Sequence, residues 1–140
     1  MRQLALIFIA GAAIAQAPSS YQPVGTMSQL MVNIIYPTSD ALFYIERTPP
    51  KSDADWNLIA NQALMLAESG NLLMMPGRAR DQGNWIKDAK MLVDAGSAAF
   101  KLAQAKNMEG ILALNDQLTA SCVVCHDQYR KDYRHQPPAK

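Results

Sequence analysis

Residues 121–133 read SCVVCHDQYRKDY, and they hold both cysteines and one of the two histidines of the 140-residue chain. The stretch continues a helical stripe. Ile111, Leu114, Leu118, Cys122, Cys125 and Tyr129 follow one another at spacings of three and four, the signature of one helix face. Asn107 can cap the start of this segment, called D, which runs towards Tyr133.

Three more helical segments precede it. Segment A spans about 24–47, with Met27, Met31, Ile34, Ala41, Leu42 and Ile45 on one stripe, and stops at Thr48-Pro49-Pro50-Lys51. Segment B opens at Ser52-Asp53-Ala54-Asp55, carries Trp56, Ile59, Ala63, Leu66 and Leu73, and ends at Pro76-Gly77. Segment C spans about 81–106, with Trp85, Ala89, Leu92, Gly96, Ala99 and Ala103 at helical spacing. Its small residues let a neighbouring backbone or a flat cofactor approach, and an unfilled space there would make folding depend on the cofactor. Strand signals are poor, and Asn-Gly and Asp-Gly hairpin turns are absent. Four helices with short connections predict an all-α, antiparallel up-down-up-down four-helix bundle. Pro37 inside segment A predicts a kink or break around Tyr36-Pro37-Thr38, recapped by Ser39 or Asp40.

The N-terminus sets the compartment. Residues 1–17, MRQLALIFIAGAAIAQA, place a charge, an apolar run and an Ala-Gln-Ala site in the order of a cleavable secretory signal. The run is shorter than the roughly 20 residues a bilayer span needs, so no membrane anchor is expected after cleavage. Residues 18–140 then form a single domain with 12 basic and 12 acidic residues, since the leader removes only Arg2 from 13 and 12. That balance provides no basic field for nucleic acid.

In an exported chain, C-x-x-C-H is the pattern of covalent haem attachment. Cys122 and Cys125 would bond the two vinyl groups, and His126 would bind iron. A reactive dithiol prefers the start of a helix after a strand, and a zinc site needs four ligands, whereas only His135 is left over. A disulfide between Cys122 and Cys125 would close almost no loop.

A sixth ligand can be sought by level. If A and D are antiparallel neighbours, His126, seven residues before Tyr133, lies about 10 Å from the shared end. Met31, seven residues after Val24, lies at the same level, and Met27 about 6 Å nearer the end. Segments B and C meet at this end too, so Met74, Met75 and Met91 remain open by level.

The C-terminal position of the motif, its continuation as Cys125-His126-Asp127-Gln128-Tyr129-Arg130, and Asn84-Trp85-Ile86-Lys87-Asp88 opening segment C resemble the class II c-type cytochromes, the cytochrome c′ family. The resemblance spans residues 18–140 and is carried most by those from 84 onward. It implies a four-helix bundle with one covalently bound haem c near one end. Gln29-Leu30-Met31 resembles the Leu-Met step of low-spin members, which implies Met31 as the axial ligand opposite His126. Many cytochromes c′ carry a basic residue at the place of Met27, so Arg78 and Arg80 in the B–C connection are the candidates to meet propionate charge, with Arg130 near the haem edge.

The expected function is periplasmic one-electron transfer with redox partner proteins. The alternative is a five-coordinate protein that binds nitric oxide or another small gas. No acid pair or nucleophile–base set suggests an enzyme. The family resemblance also implies a possible homodimer.

Overall fold

The computed structural model describes residues 21–130. The leader at 1–17, His135 and the expected helix end at Tyr133 lie outside them. Four helical stretches pack together, and no strand occurs among the described residues. The first is composite: α1 (Met27–Leu30), a π-helical turn (Met31–Ile35), α2 (Tyr36–Phe43) and a 3₁₀ turn (Ile45–Arg47). Next come α3 (Asp53–Leu73) and α4 (Asn84–Gln104). The last stretch is α5 (Met108–Ala113) followed by α6 (Asn115–Tyr129).

Local chemistry fixes the starts. Thr26 and Gln29 form a reciprocal capping box, with Gln29 N–H donating to Thr26 Oγ1 at 3.2 Å and Thr26 N–H donating to Gln29 Oε1 at 2.9 Å. Ser52 and Asp55 repeat the arrangement at α3. Asn107 Oδ1 accepts from Gly110 N–H at 2.8 Å, the cap expected for segment D. Gly77 takes φ +84° after α3, in the left-handed region that glycine enters without a Cβ penalty.

Segment A departs from expectation. It neither breaks nor recaps at Pro37, which sits in the first turn of α2. The ladder widens just upstream instead, and Tyr36 N–H donates to Met31 C=O, five residues back. Pro37 has no N–H, and its ring would clash with a carbonyl four residues earlier in a regular helix; a turn with one extra residue relieves both problems. Thr38 Oγ1 lies 2.7 Å from Ile34 O and 3.0 Å from Ile35 O, and Ser39 Oγ donates to Tyr36 O at 2.9 Å. Both hydroxyls serve carbonyls of the turn before them.

The extra residue also shifts the buried face. Leu30 and Ile35, five apart, are buried, followed by Thr38, Ser39, Leu42 and Ile45, while Ala41 is only half-buried.

α3 and α4 pack along a seam of small residues. A Cβ on Gly96 would lie 2.6 Å from Ala67 N, and one on Gly70 would lie 2.6 Å from Val93 Cγ2. The small residues around Gly96 therefore admit the α3 backbone. Leu42, Leu66, Ile111 and Leu118 are almost wholly buried, each contributing about 1.5–3 kcal/mol. α2 packs against α3 and α5, and α4 against α6.

Segment D holds a tight turn where Leu114 N–H donates to Ile111 C=O at 3.0 Å, then resumes as α6. Among the described residues α6 ends at Tyr129. Arg80 Nη1 donates to the Tyr129 carbonyl at 3.3 Å, satisfying a terminal acceptor that a further turn would otherwise use.

Candidate functional site

Between the start of segment A and the end of α6 lies a cleft of about 480 Å³. Met27, Met31 and Ile35 line it from segment A, and Cys122, Cys125 and His126 from α6. Trp85, Arg80, Tyr129 and Arg130 complete its rim and floor. Beside it, Met31, Ile35, Cys122, Cys125 and His126 also border an inner chamber of about 40 Å³, lined as well by Leu73, Asp88, Ala89, Leu92 and Ser121.

The motif residues are presented by the pitch of α6. Cys122, Cys125 and His126 are half-buried and face the cleft, while the spacer residues Val123 and Val124 are exposed. Burial pushes the Cys122 thiol up. Burial, then the nearby Asp88 carboxylate, pushes Cys125 up to about 11. A disulfide-exchanging dithiol needs a lowered thiol pKa, so these raised values oppose that chemistry. Burial and then Arg130 push His126 below its usual value. The imidazole is thus neutral at neutral pH, with a lone pair available for a metal.

The methionines separate by depth. Met27 and Met31 both line the cleft, but only Met31 also borders the inner chamber. Met74 packs against the core, and Met75 Sδ accepts from Arg78 Nη1 at 3.7 Å. Met74, Met75 and Met91 fall outside the residues lining cleft and chamber.

An aromatic corner ties the cleft to the α3–α4 connection. Trp85, 3 % exposed, donates Nε1–H to Leu73 O at 2.7 Å and meets the Tyr129 ring edge-on, with centroids 4.9 Å apart. Tyr129 Oη donates to Asp81 Oδ2. Asp81 Oδ1 accepts from Gly83 N–H and Trp85 N–H, at 2.8 and 3.1 Å, and so starts α4. The Tyr129 bond is the main cause holding Asp81 below its usual value, and the same bond pushes Tyr129 up to about 12. Arg78 Nη2 donates to Gly25 O at 3.3 Å, fastening the lead-in to α1, while Arg80 lies over Trp85.

Asp88 was missed from sequence. It is 2 % exposed, and its Oδ2 has no partner among the described residues. The signal was present: three residues after Trp85, Asp88 falls within the apolar stripe of α4, where an acid calls for a local reason. Asp81 was also legible as an acid two residues before a glycine at a helix start.

The ligand types gathered here, one imidazole and one thioether with two flanking thiols, are those used to hold a haem iron. Among the described residues no three His, Cys, Asp or Glu side chains gather as a metal site, and no helix is long and apolar enough to cross a membrane. Comparison with known proteins found no matching family model, no similar curated protein and no similar solved structure.

Proposed function

We propose that this chain is an exported, periplasmic c-type cytochrome, a non-enzymatic carrier that passes single electrons between redox proteins. One haem c would be held by Cys122 and Cys125, and its iron would be bound by His126 and Met31. The observation that carries the reading is the meeting of Met31, from segment A, with Cys122, Cys125 and His126, from α6, around one cleft and its inner chamber.

The residues fit such a group on two counts. A cleft of about 480 Å³ lies within the roughly 300–1,000 Å³ range of cofactor sites. The imidazole is neutral and the thiols are protonated, so all three start in forms suited to ligation or thioether formation.

When bound, a haem supplies an iron that accepts and releases one electron. His126 would hold it from the α6 side. Met31 would offer a polarisable sulfur, a ligand type that favours the reduced state and raises the potential. Cys122 and Cys125 keep the group on the chain, which matters outside the cell, where a lost cofactor is not readily replaced. Trp85, Leu92 and Ile35 exclude water from the inner side. The up-down-up-down topology belongs to the same proposal. It is supported by α2 packing on α5 while the start of A and the end of D share the cleft.

Absorbance and mass of the protein secreted by a host that matures c-type cytochromes test this reading. The expected result is a coloured protein carrying the mass of one haem, with a far-red methionine–iron band when oxidised. A colourless protein at bare peptide mass overturns it. A coloured but high-spin protein without the far-red band selects the five-coordinate, gas-binding reading.

A further inference from the structure

We propose that Trp85, Tyr129 and Asp81 form a one-electron relay on the wall of the cleft: an oxidant reduced there takes an electron from Tyr129 by way of the Trp85 ring, and the phenolic proton passes to Asp81 Oδ2. The proposal rests on the cytochrome reading and adds a second electron source, with which the same site reduces a peroxide completely. Hydrogen peroxide becomes two molecules of water by taking two electrons and two protons, and a one-electron carrier supplies only one of the electrons. Tyr129 supplies the other and becomes a neutral tyrosyl radical. Its proton reaches solvent through the exposed Asp81, and solvent supplies both protons to the peroxide.

The three groups are contiguous. Trp85 and Tyr129 both line the cleft, and their rings meet edge-on with centroids 4.9 Å apart and planes at 75°. Among the described residues Tyr129 is the one ring paired with Trp85. Tyr129 Oη donates to Asp81 Oδ2, so the phenolic proton already points at its acceptor. That bond is the main cause holding Asp81 below its usual value, which keeps the acceptor an ionised carboxylate at neutral pH. Tyr129 is half-buried and Asp81 exposed, which puts the radical where a soluble reductant can return the electron.

The contacts of Trp85 set the direction of transfer. An oxidised indole carries a positive charge unless its Nε1–H gives up the proton. Trp85 donates that N–H to the buried Leu73 O at 2.7 Å, and a backbone carbonyl accepts a hydrogen bond without being a base that takes the proton. The Arg80 guanidinium lies 5.7 Å from the Trp85 ring centroid, and its permanent charge opposes a second positive charge there. Tyr129 faces a carboxylate instead and sheds its proton as the electron leaves. The positive charge is therefore disfavoured on Trp85 and ends as a neutral radical on Tyr129.

Freeze-quenched electron paramagnetic resonance of the reduced holoprotein mixed with hydrogen peroxide tests the relay, in the wild type and in Met31→Ala protein, whose iron has no methionine to displace. A tyrosyl radical is expected, and a nitroso spin trap should mark the tryptic peptide 107–130, in which Tyr129 is the one tyrosine. Tyr129→Phe should abolish this signal and leave a tryptophanyl radical. Asp81→Asn keeps an oxygen for the Gly83 and Trp85 N–H groups but cannot take the proton. It should lower the tyrosyl yield about tenfold, as for a lost hydrogen bond to a charged group. Peroxide left unconsumed by Met31→Ala protein, or consumed without a tyrosyl radical, overturns the relay. So does trapping at another tyrosine, or an undiminished yield in Asp81→Asn. If the variants do not fold, the trapping site in the wild type decides. A colourless protein overturns the cytochrome reading instead. Ultraviolet ionisation of Trp85 in its Trp56→Phe variant then replaces peroxide, and a tryptophanyl radical that never converts to tyrosyl overturns the relay, so the two failures are distinguishable.

Discussion

The α3–α4 seam and the cleft between segment A and α6 are built from helices in the same chain by opposite means. At the seam, Gly96 and Gly70 remove side chains so that backbones nearly touch. At the cleft, Met27, Met31, Ile35, Cys122, Cys125 and His126 border a space that no backbone enters. The seam gives rigidity by leaving nothing between its helices. The cleft leaves room for the proposed cofactor between helices that the seam, α2 and α5 hold in place. Packing and the proposed site thus fall to different pairs of helices, and this division can be attacked from either side.

The largest effect should come from crowding the seam. Gly96→Val places a side chain 2.6 Å from the Ala67 backbone nitrogen, which cannot rotate away. It should cost about 3 kcal/mol or more, read as a lower urea midpoint, while the visible spectrum of whatever folds stays that of wild type. A changed spectrum at native-like stability would break the division. Second comes Trp85→Phe at the junction of the two regions. It strips Leu73 O of its 2.7 Å donor, an unpaired buried carbonyl worth about 1–3 kcal/mol, and it loosens the floor of the cleft. Both the melt and the spectrum should move, which neither pure region would show.

A smaller effect is expected at the rim. Asp81 has its folded pKa held below the ordinary 3.8, so its bond with Tyr129 stabilises the native state above that pH and is lost as pH falls through the lowered value. Tyr129 is shifted the other way, from 10.0 to about 12. Its share is complete below pH 10 and is lost as pH rises towards 12. Tyr129→Phe should lower the urea midpoint near neutrality, where both shares are fully present, and change little at either extreme of pH, so the pH profile flattens. An unaltered pH profile would show that the rim bond is idle. Smallest of all is Lys106→Ala, which breaks the exposed 2.7 Å pair with Asp53 at the far end of the seam. Exposed pairs contribute little, so no measurable shift in the melt is expected.

What the sequence made legible follows from range. Ser52-Asp53-Ala54-Asp55, Asn107 and Pro76-Gly77 act on their own neighbours, and the helix limits they mark agree with the structure to within a few residues. Cys122, Cys125 and His126 share a face because three- and four-residue steps on one helix guarantee it. Relations across helices were harder. That Gly96 opposes Ala67, or that Tyr129 reaches Asp81, depends on how two helices sit against each other. The π turn was hidden for another reason. Pro37 announced an irregularity, but a proline's effect on the turn before it can be a bend, a break or an added residue, and hydrophobic spacing that is only approximate hides a single insertion. Leu30 and Ile35 show which of these occurred.

That insertion bears on any attempt to transplant the cleft into another bundle. A designer who kept this stretch residue for residue on an ideal rod would turn Leu30 and Ile35, five residues apart, onto different faces. The portable unit is the whole stretch from Thr26 to Thr38, counted residue by residue, and its length is as much a part of the recipe as the identities within it.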